Sequence, residues 1–117
     1  MKTLIILLMA ATCYGSTAWE NSLADAIFKA EGGHKTKHEY GILAHYQHTT
    51  PRQACLNTIS HSRKRWEAAG KPCNFVEYLS RSYCPIGALN DPTGLNYNWV
   101  KNVSYFMTHS NQPLNPL

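Results

Sequence analysis

The chain has 117 residues, a formal net charge of +4 and only 15% charged residues. This length predicts one small domain with a single modest core. The mild positive charge suits weak attraction to an anionic surface such as a bacterial wall polymer, but it lacks the dense basic stripe of a nucleic-acid-binding protein. We therefore expect a monomeric single domain with no nucleic-acid partner.

The N-terminus has the pattern of a signal peptide. Lys2 supplies the positive charge, residues 4–11 form the apolar run, and Ser16 and Ala18 suit cleavage before Trp19. The apolar run is far shorter than the roughly 20 residues of a membrane span. We therefore expect export to the periplasm or the exterior, with no membrane span.

This interpretation divides the chain into a signal peptide at 1–18, a folded domain at 19–110 and a flexible tail at 111–117. The alternative is a lipoprotein with its lipid anchor at Cys13. Three further cysteines predict one disulfide and one buried thiol in an oxidising compartment. Their pairing stays open among Cys55, Cys73 and Cys84.

Hydrophobic periodicity predicts an all-α fold, α+β at most. The first helix starts at a cap on Asn21 or Ser22 and ends at Gly32-Gly33. Residues 34–49 lack a helical period, which indicates an irregular or short β segment around residues 40–43.

Three more helices follow along the chain. Thr50 caps the second helix, with Pro51 at its first position, and Gly70 closes it. Asn74 starts the third helix, and the fourth begins near Asn96. The predicted inward residues of these three helices are Cys55, Ile59, Ser62, Trp66, Ala69, Phe75, Val76, Leu79, Tyr83, Trp99, Val103 and Phe106.

Glu31 is the candidate catalytic residue. It lies at the edge of the first helix's apolar stripe, four residues after Ile27. It also occupies the last turn, where exposed carbonyls disfavour negative charge. Burial and the helix dipole both raise a carboxyl pKa there, which suits a general acid for glycosidic cleavage. The alternative is a structural Glu bonded to loop amides.

The segment 26–33, Ala-Ile-Phe-Lys-Ala-Glu-Gly-Gly, followed by Tyr-Gly-Ile at 40–42, resembles the active-site region of lysozyme-like lytic transglycosylases. The segments 81–85 and 98–103 are similar to the distal part of compact members of that family. The resemblance implies a small lysozyme-like helical domain. It also implies that Glu31 cleaves the β-1,4 bond between N-acetylmuramic acid and N-acetylglucosamine in peptidoglycan.

The same resemblance implies that the turn at Gly41 and Ile42 and the later residues Tyr97 and Asn98 contact the glycan strands. The flat rings of Tyr40 and Tyr46, in the irregular segment, separately indicate cleft residues. The candidate substrate-binding residues are Tyr40, Gly41, Ile42, Tyr46, Tyr97 and Asn98. For Tyr97 the alternative is packing, and for Trp99 we favour core packing.

The resemblance further implies a mechanism with one carboxylate, in which the substrate's acetamido group stabilises the anomeric centre. A hydrolase would instead use a second carboxylate about 5 to 9.5 Å away. Glu39 and Asp91 are the candidates for that role.

Four histidines follow Glu31, at positions 34, 38, 45 and 48. They lack a recognised zinc-ligand spacing, so we expect neither a metal nor a cofactor. Histidines on the surface or in the cleft would make activity change near pH 6 to 7.

Two further hypotheses remain open. The chain can be a non-catalytic relative that binds wall glycan or a partner protein, or a helical interaction protein with no groove. Glu31 separates these hypotheses, because only the enzyme needs it beside an open groove.

Overall fold

The computed structural model describes residues 17–42, 48–83 and 97–116. Four α-helices form its frame, and two short 3-10 helices lie between the first and second of them. The α-helices are α1 (Ala18–Ala30), α2 (Pro51–Ala68), α3 (Phe75–Tyr83) and α4 (Tyr97–His109), and the 3-10 helices are Gly33–Lys35 and Glu39–Gly41. The predicted all-α class is confirmed, and the described residues contain no strand.

Helix α1 begins earlier than the sequence predicts. Thr17 caps it, because its hydroxyl accepts a hydrogen bond from the Glu20 backbone N–H at 3.1 Å. The predicted cleavage point before Trp19 therefore lies in the first turn of α1, and cleavage there would remove this cap. Residues 1–16, which include Cys13, lie outside the described residues.

The predicted starts of α2 and α3 are confirmed. Thr50 accepts from the Gln53 N–H at 3.1 Å, and Pro51 follows as the first helical residue. The Asn74 side chain accepts from the Glu77 N–H at 2.9 Å at the start of α3. The cap residues place both helix starts because they satisfy backbone donors that a helix leaves unpaired.

One hydrophobic core holds the four helices together. Helix α1 lies against α2 and α4, and α3 contacts both α2 and α4. Most predicted inward residues are buried, including Cys55, Ile59 and Phe75, whereas Ala69 is exposed. Fully buried Met107, on α4, extends the core beyond the predicted stripe.

The segment after α4, which we predicted as a flexible tail, makes contacts with the rest of the domain. Pro113 accepts a hydrogen bond from the Trp19 indole at 2.9 Å, and the Asn115 side chain accepts from the Phe75 N–H at 2.8 Å. Leu114 also packs against the core. These contacts attach residues 113–115 to the domain and add a cap to α3.

The cysteines described are free thiols: Cys55 is buried and Cys73 is half-buried. Cys84 lies outside the described residues, so the predicted disulfide stays a prediction. The predicted loop at 85–95 also lies outside them. Within the described part of the chain, no helix combines the length and apolar character needed to cross a bilayer.

Candidate functional site

Glu31 ends α1 and turns its carboxyl group toward α4. Its backbone N–H donates to the Ile27 carbonyl at 2.9 Å, which completes the last turn. Its side-chain Oε1 accepts a hydrogen bond from the Trp99 indole N–H at 2.9 Å. Because Trp99 itself is only 6% exposed, this bond gives the carboxyl group a fixed position.

Burial raises the pKa of Glu31 above its ordinary value, and the Trp99 hydrogen bond opposes this by lowering it. Burial wins because removing a carboxylate from water penalises its charged form more than one neutral donor stabilises it. Neither of these two effects on the pKa comes from a second carboxylate. The site therefore holds a half-buried acid that keeps its proton to higher pH than an exposed glutamate.

Gly41 packs directly on the Glu31 carboxyl group. A Cβ at this position would lie 3.0 Å from Cδ, 3.1 Å from Oε2 and 3.2 Å from Oε1 of Glu31. The backbone also has a φ of +69°, which a side chain disfavours. Glycine is therefore required here both for the turn and for its approach to the acid.

The preceding residue, Tyr40, also has left-handed backbone angles, with φ 60° and ψ 13°. This conformation is rare for a bulky residue and costs on the order of 1–3 kcal/mol, so surrounding contacts must hold it. The Tyr40 hydroxyl accepts from Arg52 Nη1 at 2.9 Å. Its ring lies 5.0 Å from the Phe28 ring, measured between centroids.

Tyr83, at the end of α3, contacts both neighbours of Glu31. Its hydroxyl donates a hydrogen bond to the Tyr40 carbonyl. Its ring stacks on the Trp99 indole with 5.3 Å between centroids and 28° between planes. The hydroxyl also hydrogen-bonds Cys55 on α2. We call Glu31, Tyr40, Gly41, Tyr83 and Trp99 the Glu31 cluster.

An open groove of about 460 Å³ lies between the end of α1 and α4. Lys29, Ala30, Asn102, Tyr105 and Phe106 line it. Tyr105 is 53% exposed, and the Lys29 ammonium lies 5.9 Å from the centre of the Phe106 ring. Ala30 precedes Glu31 in the chain, but neither Glu31 nor another member of the Glu31 cluster is among the lining residues.

The structure brings together two of the predicted site residues, Glu31 and Gly41. Ile42 is half-buried and packs against the core. Glu39 is half-buried and begins the short helix that carries Gly41. Asn98 is half-buried and precedes Trp99 on α4.

Tyr40 requires a correction. We predicted its ring as a substrate-binding surface, but the side chain is 7% exposed and belongs to the core. Its hydroxyl and ring instead contact Arg52 and Phe28. Tyr97 starts α4, although its side chain lies outside the described residues. The whole of Tyr46, His45 and Asp91 also lies outside them.

Sequence reasoning missed two members of the cluster, Trp99 and Tyr83. Both were assigned to helix faces that pack in the core, and both are packed there. The signal that could have found them is their polar end, since buried Trp and Tyr side chains usually have a hydrogen-bond partner. Sequence periodicity does not say which partner.

The described histidines after Glu31 are exposed, and His34 places its ring edge against Phe28 with 4.8 Å between centroids. Within residues 17–42, 48–83 and 97–116, no three His, Cys, Asp or Glu side chains are placed to share a metal ion.

Comparison with known proteins adds no relative. No protein-family model, no curated protein and no solved structure matches this chain.

Proposed function

We propose that the chain is an exported glycosidase that cleaves the β-1,4 bond between N-acetylmuramic acid and N-acetylglucosamine in peptidoglycan. The observation that carries the proposal is the environment of Glu31. Its carboxyl group is half-buried, has a raised pKa, and lies between the Trp99 indole and the bare Gly41 backbone. A general acid for glycosidic cleavage requires such a carboxyl group.

The Trp99 bond also decides which oxygen carries the proton. An indole N–H only donates, so Oε1 must accept from it. When the carboxyl group is protonated, the proton therefore resides on Oε2. That oxygen is the candidate donor to the glycosidic oxygen of a bound glycan.

The groove between the end of α1 and α4 supports a contact surface for the glycan strand. It offers an exposed aromatic ring, an amide and a cation. Aromatic faces and amides suit sugar rings, and Lys29 suits the carboxylates of peptidoglycan. The predicted signal peptide would deliver the protein to the compartment that contains this polymer.

The proposed reaction uses one carboxyl group in two steps. Glu31 donates its proton to the glycosidic oxygen as the bond from that oxygen to the anomeric carbon breaks. The substrate's acetamido oxygen forms a bond to the anomeric carbon in its place. The substrate's 6-hydroxyl then displaces that oxygen, returns its proton to Glu31 and closes a 1,6-anhydro ring.

Hydrolysis is the alternative outcome of the same first step. Water would replace the 6-hydroxyl if Glu39 or Asp91 faced the anomeric carbon from the other side. The products distinguish the two reactions, because anhydro ends and reducing ends differ in mass by one water.

The test is clearance of a purified peptidoglycan suspension by the mature protein. Glu31→Gln keeps the shape and the acceptor for Trp99 but removes the acid. We expect at least about a hundredfold loss of clearance rate, the range of general-acid catalysis. Glu77→Gln, an exposed residue on α3, is the matched control and should clear walls at the wild-type rate.

Co-sedimentation with the same walls separates the other hypotheses. A wild-type protein that sediments with walls without cleaving them would be a non-catalytic glycan-binding module. One that neither sediments nor cleaves would be a helical interaction protein. Equal clearance by Glu31→Gln and wild type would contradict the proposed mechanism.

A further inference from the structure

Both groups that contact the Glu31 carboxyl are themselves contacted by one side chain. The Tyr83 hydroxyl donates to the carbonyl of Tyr40, the residue before Gly41, and the Tyr83 ring stacks on Trp99. We infer that Tyr83 is a positioning residue: it holds the turn and the indole against Glu31 without touching the substrate. The term positioning residue rests on the proposed function, whereas the geometric claim does not.

The turn at Tyr40 and Gly41 needs such support because its backbone conformation is strained. Tyr40 and Gly41 are consecutive left-handed residues, with φ of 60° and 69°. A strained conformation persists only when its surroundings impose it. Arg52 and Phe28 hold the Tyr40 side chain, but the Tyr83 hydroxyl acts on the backbone carbonyl itself, adjacent to Gly41.

Cys55 on α2 lies beside the same hydroxyl. Burial raises the pKa of its thiol to about 12, with the Tyr83 hydrogen bond lowering it, so the thiol is neutral at physiological pH. Cys55 therefore brings no charge to the point where the Tyr83 hydroxyl donates to the Tyr40 carbonyl.

The ring of Tyr83 has a separate effect from its hydroxyl. Stacked on Trp99, it limits rotation of the indole that donates to Glu31 Oε1. A Tyr83→Phe substitution keeps this stack and removes the hydroxyl, which takes away the donor to Tyr40 and the hydrogen bond with Cys55. It leaves the Tyr40 carbonyl without that partner, and the turn is free to move away from the acid.

The effect on Glu31 can be read directly from its titration. The titratable side chains within or bonded to the Glu31 cluster are Tyr40 and Tyr83, Cys55 on α2, and Arg52 on α2, which bonds the Tyr40 phenol. Glu39 begins the short helix that carries Gly41. Of these, Tyr83→Phe replaces only the Tyr83 phenol. Looser packing by the turn admits water to the carboxyl group, which lowers its pKa toward the ordinary value.

The experiment is carbon NMR titration of glutamate side-chain carboxyls in wild type, Tyr83→Phe and Tyr78→Phe. Tyr78 is on the same helix and packs against the core from a half-buried position, so it receives the same chemical change away from Glu31. We expect the Glu31 midpoint to fall in Tyr83→Phe and to stay at the wild-type value in Tyr78→Phe. Wall clearance should fall about tenfold in Tyr83→Phe alone.

An unchanged Glu31 midpoint in a folded Tyr83→Phe protein would overturn the inference. If that variant does not fold, the wild-type protein provides the second measurement. A slowly exchanging Tyr83 hydroxyl proton, with a nuclear Overhauser contact to the Gly41 amide, is expected, and its absence would also overturn the inference. A midpoint shift in a protein that clears no walls would contradict the proposed function alone.

Discussion

The three tryptophans have similar surroundings but different hydrogen-bond partners. Trp19, Trp66 and Trp99 are 5%, 3% and 6% exposed, and each donates its indole N–H within the molecule. Trp19 bonds the Pro113 carbonyl at 2.9 Å and Trp66 bonds the Cys73 carbonyl at 2.8 Å. Trp99 instead bonds the Glu31 carboxyl at 2.9 Å.

This difference separates two tryptophans that stabilise the fold from one that contacts a titratable side chain. A backbone carbonyl does not titrate, so Trp19 and Trp66 attach a tail and a loop to the core. A carboxyl group does titrate, so Trp99 influences the pKa of Glu31. Equally buried tryptophans can therefore have different roles, because the role depends on the group that accepts the hydrogen bond from the indole.

The largest effect should come from adding one methyl group beside Glu31. In Gly41→Ala the new Cβ would lie 3.0–3.2 Å from the Glu31 carboxyl atoms, and displacement of that group should reduce wall clearance about a hundredfold. Gly70→Ala is the matched control, since Gly70 also has positive φ, 83°, but has no atom within 4 Å of its Cβ position.

Both glycine variants should lose about 1 kcal/mol of folding free energy from backbone strain, measured by denaturant unfolding. Only Gly41→Ala should lose activity. Equal activity of the two folded variants would show that Glu31 does not depend on its contact with Gly41.

A smaller effect is expected from exchanging the tryptophans for phenylalanine. Trp99→Phe removes the indole donor that opposes the effect of burial, so the pKa of Glu31 should rise further and wall clearance should fall about tenfold. Trp66→Phe leaves the Cys73 carbonyl without its donor, and should cost about 1–3 kcal/mol of stability while the activity of the folded protein is unchanged.

Unfolding curves and clearance rates of the two variants test this contrast. If Trp66→Phe folds but loses as much activity as Trp99→Phe does, the two tryptophans do not differ in role and the contrast between them is wrong.

The smallest expected effect is a change in how folding stability depends on pH when Glu31 is replaced. Burial raises the pKa of Glu31, so the folded chain binds this proton more tightly than the unfolded chain does. The contribution of Glu31 to folding free energy is therefore most favourable below 4.5, the ordinary value, and declines as pH rises through the folded pKa. Glu31→Gln removes that decline.

We therefore expect the Tm of Glu31→Gln to gain on that of wild type as pH rises from 4.5. The difference should stop growing once the pH exceeds the folded pKa. A difference that is constant with pH would mean that Glu31 titrates alike in the folded and unfolded chains.

Local patterns predicted much of the fold. The caps at Thr50 and Asn74 and the apolar stripes of the helices depend on residues a few positions apart, and the structure confirms them. Glu31 emerged from the same local reasoning, because its place in the stripe and at the helix end already indicated burial. The direction of its pKa follows from that place.

Long-range contacts were beyond such reasoning. The bond between Trp99 and Glu31 spans 68 positions, and the bond between Tyr83 and Tyr40 spans 43. Periodicity gives the inward face of a helix but not the atom that a polar group on that face will meet. The burial of Tyr40 and the contacts of residues 113–115 were missed for the same reason, since both depend on partners far away in the sequence.

The most direct test of the central claim is the mass spectrum of the soluble fragments released from purified peptidoglycan. Wild type should release fragments ending in a 1,6-anhydro ring, and the yield from Glu31→Gln should be about a hundredfold lower under the same conditions. Equal yields of the same fragments from both proteins would contradict the assignment of Glu31 as the acid that cleaves the glycan.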